Sequence, residues 1–454
     1  MTTLGSCNHN LQLVNYAGRH LLYDTNRVKT YDCSEVEAAI ISGIPLGTSK
    51  HKNRSHSYDR RTIEAAQSRL RRLSELSESL AATHGFVPIY RGRPNYLLLN
   101  LCGSCNLQCT YCYVESCKSD STPELMSANT ARSSIDALFR HAKSGEGYSI
   151  SFAGGEPLLN FKVLASAAAY ALERSRQLGV MLQLKILTNG TVMNSEILQF
   201  VSDNAINLQI SIDGPPETHD RLRPTKYGHG SSKKIMETID FLKRHNFTGF
   251  RFRSTLCHGN SDLPKIVEFF QMQGFDNFAL RPIMTDKKNP YKLGKSDSRK
   301  IEEYYDRMHA VVIDGLKGGK AKEIPEAFSL LVEKLKIGMK TKRYCGAGRE
   351  MVVVATDGRL YPCPILVGDT HFCSGHIEQG FRRAQETVFP NLSVDEKAVC
   401  RRCWARNLCG GGCVSQAIRL HKDPERPDPL ECAVIQAKIK GAIAIHQYQK
   451  AVVQ

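Results

Sequence analysis

No stretch of this chain approaches the roughly 18 consecutive apolar residues of a membrane-spanning helix. Its opening residues, MTTLGSCNHN, lack the charged-then-apolar order of an export signal. Internal repeats and low-complexity tracts are also absent. A membrane partner is therefore not expected, and a cytoplasmic protein is. An export signal is missing while 16 cysteines are present, which argues against a disulfide framework. Cytosolic thiols are kept reduced, and clustered cysteines there bind metal or do chemistry. An acidic balance is missing too: 61 Lys+Arg face 45 Asp+Glu, a formal net charge of +16. Such a field attracts polyanions, whether nucleic acid, acidic peptides or phosphates. No aromatic-interleaved basic motif accompanies the charge, so nucleic acid is not the expected partner. Arginines such as Arg60, Arg61, Arg69, Arg71 and Arg72 read as solvated helix faces.

What is present is a globular composition, 41% hydrophobic and 23% charged, over 454 residues, a length that suggests roughly two to four units. Residues 1–92 read as a small separate unit. Short strands are expected at 10–16, 20–23 and 28–31, with a turn at Ala17-Gly18. Ser34 caps a helix to residue 41, with Glu35 and Glu37 in its first turn. A polar loop at 47–57 precedes a helix over 59–82, with Leu70, Leu73, Leu76 and Leu80 on one face. Residues 93–285 alternate strands (96–102, 149–152, 182–187, 208–212, 250–256, 278–282) with helices (128–142, 161–178, 195–203, 231–244, 263–273). Repeated strand–helix units imply a parallel sheet with right-handed crossovers. Six units fit a partial (β/α)6 barrel, with chemistry at the C-terminal strand ends. Residues 286–344 read as a helical, Lys-rich connector, and 345–454 as a second cysteine region ending in a helix at 431–448.

The first cysteine group, Cys105, Cys109 and Cys112, stands at spacing CxxxCxxC directly after the first barrel strand. Three thiolates on one loop can hold three irons of a cubane and leave the fourth open to a ligand, whereas structural zinc takes four protein ligands. The next strand ends bear Gly154-Gly155-Glu156-Pro157, then Thr188-Asn189-Gly190, then Ser211-Ile212-Asp213-Gly214-Pro215. Two glycines let the backbone approach a ligand closely, and Glu156 offers an acceptor for an ammonium group. Arg223 or Arg221 could fork onto a carboxylate. Singly these are turn residues. Together, at consecutive strand ends beside an open iron, they suit an amino acid ligand. Asp213 stands by position as a candidate acid or base, although an Asp-Gly turn explains it equally.

These motifs resemble the radical S-adenosylmethionine (SAM) superfamily over about residues 95–285. The resemblance implies that Cys105, Cys109 and Cys112 hold a 4Fe–4S cluster whose open iron is chelated by the amine and carboxylate of SAM. Reductive cleavage would yield a 5′-deoxyadenosyl radical that abstracts a substrate hydrogen. Tyr111 would flank the adenine. The loop of Gly154, Gly155 and Glu156 would hold the methionyl amine, with Asn189 beside it. Ser211 would contact the ribose region, and Arg223 (or Arg221) the carboxylate. An electron donor such as flavodoxin or ferredoxin is implied. Residues 1–92 resemble the winged-helix leader-peptide-recognition domain of peptide-modifying enzymes, which binds peptide by adding a strand to a sheet edge.

The second group reads C-x12-G-x4-C (Cys345, Gly358, Cys363), then C-x2-C-x5-C-x3-C (Cys400, Cys403, Cys409, Cys413), then Cys432. It resembles the SPASM extension of radical SAM enzymes, which carries two auxiliary 4Fe–4S clusters. The resemblance gives Cys345, Cys363 and Cys413 to the first and Cys400, Cys403, Cys409 and Cys432 to the second, three clusters in all. Sulfatase-maturase-like members have a further cysteine near the first of the seven. Here neither 336–344 nor 346–362 contains one, so the first auxiliary cluster either uses Cys373 or has an open iron. Cys102, Cys117, Cys7, Cys33 and Cys257 carry no ligand signal, and His219, His229 and His258 read as loop polar residues. The expected function is maturation of a ribosomally made precursor peptide by hydrogen abstraction and crosslinking through a thioether, carbon–carbon or carbon–oxygen bond. The rivals are a sulfatase-maturase-like dehydrogenase acting on a protein residue or small molecule, and a non-catalytic zinc- or RNA-binding protein.

Overall fold

The computed structural model describes residues 10–16, 19–44, 46–48, 57–79, 92–114, 124–275, 278–318, 324–381, 389–390 and 392–453. The Ala17-Gly18 turn, Cys7, Leu80 and Cys117 lie outside these residues. The N-terminal unit is an antiparallel sheet of β1 (Leu11–Tyr16), β2 (Arg19–Asp24) and β3 (Lys29–Cys33), with β2 central. Helix α1 (Glu35–Ile41) begins in a capping box. Ser34 Oγ accepts the Glu37 N–H at 3.3 Å, and the Glu37 carboxylate accepts the Ser34 N–H at 2.8 Å. Two short strands, β4 (Gly47–Thr48) and β5 (Ser57–Tyr58), pair where a loop was expected. Helix α2 (Arg60–Ser79) turns Leu70 and Leu73 onto Leu22, Cys33 and Ala38, while Leu76 faces solvent.

The barrel follows as β6 (Tyr96–Cys102), α3 (Ala128–Phe139), β7 (Gly147–Gly154), α4 (Phe161–Leu178), β8 (Met181–Thr188), α5 (Ser195–Asp203), β9 (Asn207–Ser211), α6 (Pro216–Leu222), α7 (Ser232–Arg244), β10 (Phe250–Leu256), α8 (Leu263–Met272) and β11 (Phe278–Pro282). Strands that bury Leu, Ile and Phe and amphipathic helices make this order, and all adjacent barrel strands are parallel. Leu97, Leu99 and Leu101 point outward from β6 into the helix layer and are fully buried, each contributing about 1.5–3 kcal/mol. The seven-residue α6 was not expected from the sequence: only His219 and Leu222 on it are buried, too few to show a period.

After α9 (Lys295–Lys317) and α10 (Glu326–Ile337) come β12 (Met351–Val354), β13 (Leu360–Tyr361), α11 (Ala398–Arg401), α12 (Arg406–Cys409), α13 (Val414–His421) and α14 (Pro429–Val453). Strand β12 lies parallel to β6, Met351 opposite Tyr96 and Val354 opposite Leu99. The sheet therefore runs β11-β10-β9-β8-β7-β6-β12-β13 across the 344/345 boundary suggested by the sequence. The expected connector is a packed layer, since α9 and α10 both lie against α14. Gly441 permits that approach: a Cβ there would stand 2.6 Å from Phe328 Cε1. Among the described residues no helix is long and apolar enough to cross a membrane.

Candidate functional site

The first cysteine loop is fastened to the C-terminus of α6 and to the end of β8. The Gln108 N–H donates to Pro224 O at 2.8 Å and the Thr110 N–H to Leu222 O at 2.9 Å. Asn106 Nδ2 donates to Thr191 Oγ1 at 2.7 Å, and Asn189 Nδ2 donates to Asn106 Oδ1 at 2.9 Å and toward Cys105 Sγ at 3.5 Å. The Leu107 N–H also approaches Cys105 Sγ, at 3.4 Å. N–H groups aimed at a cysteine sulfur suit a thiolate on a cluster. Burial pushes the Cys105 thiol up to about 11 and the Cys109 thiol up to about 12. Loading of metal on this loop must therefore expel protons.

Behind the loop lies a saturated carboxylate. Asp213 is fully buried. Its Oδ2 accepts Tyr111 Oη–H at 2.5 Å and Arg223 Nε–H at 2.8 Å. Its Oδ1 accepts Arg223 Nη2–H at 3.2 Å and the Thr255 N–H at 2.9 Å. Burial acts to raise its pKa, but the Arg223 guanidinium outweighs burial and holds it below the usual carboxylate range. Four donors leave no lone pair for a substrate proton. Asp213, a candidate acid or base by position, sits in the structure as a clamp. It fixes the Tyr111 ring and turns Arg223 over that ring, 5.4 Å from its centroid. His219 Nδ1 accepts the Asp213 N–H at 3.2 Å, so its proton sits on Nε2, 3.0 Å from Ser231 Oγ. Burial, reinforced by Arg223, lowers the pKa of His219 to about 4.

Glu156 is placed differently from the sequence expectation. Its carboxylate is fully buried and ties two strand ends together. It accepts Leu158 N–H at 3.1 Å and Thr188 Oγ1–H at 2.8 Å on one oxygen, and Asn189 N–H at 2.7 Å on the other. Burial pushes its pKa up to about 7 against these donors. The wall beside it is the backbone of Gly154 and Gly155. Gly154 has φ +136, and a Cβ there would stand 2.4 Å from Asn100 Oδ1 and Cys102 O. Asn100 Oδ1 is itself a buried acceptor without a partner among the described residues, on the same wall. An unfilled acceptor beside the cysteine loop fits an ammonium group such as that of SAM, and neither Asn100 nor its role follows from the motif.

The second group divides electrostatically. Cys345, Cys363 and Cys413 act on one another, and Cys400, Cys403, Cys409 and Cys432 form a separate set centred on Cys432. Cys373 packs in the hydrophobic cluster that contains Cys363, with Sγ donating to Gly375 O at 3.5 Å. Among the described residues no group of three or more His, Cys, Asp or Glu converges on a single metal ion. Cubane ligands each bind a different iron and need not converge. Gly410, Gly411 and Gly412, unremarked in the motif, have φ of +81, +95 and +69. This left-handed run turns the Gly411 and Gly412 N–H groups onto Cys409, an arrangement open only to glycine. Buried Lys397 donates to Gly411 O at 3.0 Å, and buried Glu431 accepts the Cys413 N–H at 3.2 Å. These two charges stand between the cysteine sets.

One cavity of about 770 Å³ joins both halves, a size in the range of ligand sites. Cys105, Cys109, Cys112, Tyr111, Asn189, Ser211 and Arg223 line it from the barrel, and residues 364–369 with Arg419 line it from the second cysteine region.

Comparison with known proteins bears on the family and the fold. Residues 99–270 match the profile of the Radical SAM superfamily, so the chain carries a radical SAM domain. It is 26% identical over 340 residues to the cysteine-type anaerobic sulfatase-maturating enzyme of Clostridium novyi, covering 72% of this chain and 87% of that protein. It is 25% identical over 362 residues to mycofactocin maturase MftC of Mycobacterium tuberculosis, covering 77% of this chain and 85% of that one. Among solved structures, anSMEcpe with bound AdoMet aligns at TM-score 0.65 and 21% identity, over 79% of this chain and 96% of that one. Streptococcus suis SuiB bound to precursor peptide SuiA aligns at TM-score 0.52 and 14% identity, over 94% and 99%. At such identities these two show a shared fold.

Proposed function

We propose that this radical SAM enzyme is a SPASM-type peptide maturase that crosslinks a ribosomally made precursor peptide. The observation that carries the reading is the cavity walled by the first cysteine loop and by Tyr361 and Pro364, which flank Cys363 of the second region, so that one peptide residue would lie between the SAM site and the first auxiliary set. In this reading Cys105, Cys109 and Cys112 hold one 4Fe–4S cluster, Cys345, Cys363 and Cys413 (with Cys373 or an open iron) a second, and Cys400, Cys403, Cys409 and Cys432 a third. SAM and its cluster supply, when bound, a hydrogen-abstracting radical. The chain's own residues do the rest. The Gly154-Gly155 backbone and Asn100 Oδ1 receive the amine. Ser211 and Arg223 face the ribose and carboxylate, and Tyr111, held by Asp213, flanks the adenine. The N-terminal sheet would take a leader segment at a free edge, and an external flavodoxin or ferredoxin would supply the electron. SuiB, which shares the fold over most of this chain, is a protein whose structure is known with a precursor peptide.

The test is anaerobic purification followed by iron analysis and turnover. About twelve irons per chain and 5′-deoxyadenosine from reduced enzyme with SAM are expected. A colourless zinc protein, or no 5′-deoxyadenosine from the iron-loaded chain, ends the proposal. The relatives favour a second reading, oxidation of a residue on a folded protein, as in the sulfatase-maturating enzymes. Deleting residues 1–92 separates the two: unchanged peptide affinity would favour this second reading.

A further inference from the structure

We propose that Arg253 anchors an anionic group of the substrate, a side-chain or C-terminal carboxylate, inside the cavity between the two cysteine regions. The proposal rests on the peptide reading above. Strand β10 turns Arg251, Arg253 and Thr255 to the barrel interior, and the last two line the cavity. Four neighbouring guanidinium groups of the barrel and cavity have carboxylates, and Arg419 of the cavity wall donates to Ile365 O at 3.2 Å. Arg223 has Asp213 at 2.8 Å, Arg251 has Glu326 at 2.5 Å, Arg281 has Glu326 at 3.5 Å and Arg359 has Asp357 at 2.5 Å. Arg253 has no carboxylate and no hydrogen-bond partner among the described residues. Arg281 and Arg223 repel it, and the phenols of Tyr113, Tyr111 and Tyr96 oppose them. Burial and these like charges push its pKa down, yet a guanidinium stays protonated at working pH. A partly buried cation facing two others, with a cavity in front of it, is a site that an anion completes.

SAM does not supply that anion. Its one carboxylate goes, on the family resemblance, to the open iron beside the cysteine loop, and its ammonium and sulfonium would repel Arg253. Arg223 feels Cys109 of that loop. Arg253 faces Arg223 and Tyr111 on one side and on the other acts on Tyr96, which also feels Cys363 of the second region. Arg253 thus lies on the path from one cysteine region to the other, where a substrate residue would sit. The guanidinium fork matches a carboxylate with two parallel N–H···O bonds.

The test uses the full chain, cluster-loaded and SAM-bound under anaerobic conditions, with small probes read by calorimetry. N-acetyl-aspartate amide carries a side-chain carboxylate, N-acetyl-alanine a terminal one, and N-acetyl-asparagine amide and N-acetyl-alaninamide are their neutral partners. Wild type is expected to prefer one of the acids over its amide by about tenfold or more, and the acid preferred tells which carboxylate is read. In Arg253→Gln the ratio should fall to within about twofold, and in Arg253→Lys it should stay intermediate. The ratio is internal to each variant, so a merely damaged protein does not mimic its loss. Equal binding of acid and amide by wild type overturns the proposal, as does a preference that survives Arg253→Gln. A loss of SAM affinity with the ratio intact also overturns it, because Arg253 would then serve SAM. If the ratio behaves as expected but no peptide stimulates 5′-deoxyadenosine formation, the anion site stands and the peptide reading falls.

Discussion

Replacing Asp213 by alanine should be among the most damaging single changes in the barrel. The carboxylate is fully buried and receives Tyr111, two nitrogens of Arg223 and the Thr255 N–H. Removing one partner of a buried pair leaves an uncompensated charge and costs about 3–5 kcal/mol. The orphaned phenol and amide each add a part of about 1–3 kcal/mol, though such terms are not additive within one network. A total near 4 kcal/mol is expected, or about 2 M in urea midpoint for a slope of about 2 kcal/mol/M. The assay is urea unfolding of the cluster-loaded protein under anaerobic conditions, followed by near-ultraviolet circular dichroism. Fluorescence would miss the barrel, because the one tryptophan, Trp404, lies outside it. The second variant is Asp213→Ala with Arg223→Met, which removes both charges and leaves an apolar side chain of similar length. It should recover at least half of the lost stability, because the penalty is the unpaired guanidinium and not the absent bond. A shift below about 0.5 M for the single variant would refute the clamp, since that corresponds to about 1 kcal/mol. A double variant no better than the single would refute the charge argument.

Four further outcomes follow from the same geometry. His219 takes its proton at about 4 in the folded protein against about 6.5 unfolded. The unfolded chain therefore binds more protons between these values. The stability this group contributes, about 3 kcal/mol, is fully present above pH 6.5 and is lost as pH falls toward 4. Unfolding of wild type and His219→Gln, compared at pH 7 and pH 5, should show a gap that narrows at the lower pH; a constant gap is evidence against it. Gly411→Ala should strain a φ of +95 and misdirect the N–H groups serving Cys409. Iron analysis should then show a loss of about four irons per chain if that set holds a cubane, and full iron content would contradict this. Arg406→Ala should loosen the N-terminal unit. Arg406 bonds Asn26 and Asn10, and Trp404 packs edge-on to Tyr23 at 6.2 Å. Limited proteolysis should therefore cut residues 1–92 faster than in wild type, and an unchanged pattern would count against the contact. Arg253→Met should not lower the thermal midpoint, because it removes an unpaired cation; a clear drop would show a structural partner.

Much of the barrel is legible in the sequence because its strands and helices are each locally consistent. β6, β10, β11, α4 and α5 begin and end where the apolar pattern and the caps place them, and the Ser34–Glu37 box marks α1. Strand β12 is not legible. Four apolar residues bounded by loops show no period, and their partner β6 lies some 250 residues earlier in the chain, so only tertiary pairing makes them a strand. The cysteine spacing is legible because each set lies on short local loops. Side-chain direction is not. Nothing local distinguishes a Glu156 that faces a ligand from one that caps Leu158 and bridges to Thr188 and Asn189. Nor does an Asp-Gly pair disclose that Tyr111, Arg223 and Thr255 converge on it from the cysteine loop, the C-terminus of α6 and strand β10.

The difference has a physical cause that bears on how the site works. A motif carboxylate at a strand end must either face the cavity or hold the loops that form it. In this chain Asp213 and Glu156 both hold loops, with every donor around them accounted for at 2.5–3.2 Å. Saturated buried groups are rigid, because any displacement leaves a polar atom unpaired. Among the described residues the wall then offers glycine backbone at 154 and 155, an acceptor on Asn100 with no partner, and a cation on Arg253 with no carboxylate. The unfilled groups have opposite preferences. Asn100 Oδ1 wants a donor beside the cysteine loop, and Arg253 wants an anion farther along β10. A ligand pair with an ammonium at one end and a carboxylate at the other would satisfy both. On the proposal made for Arg253, two ligands bound together would complete the wall, and either one alone would leave the other group to solvent.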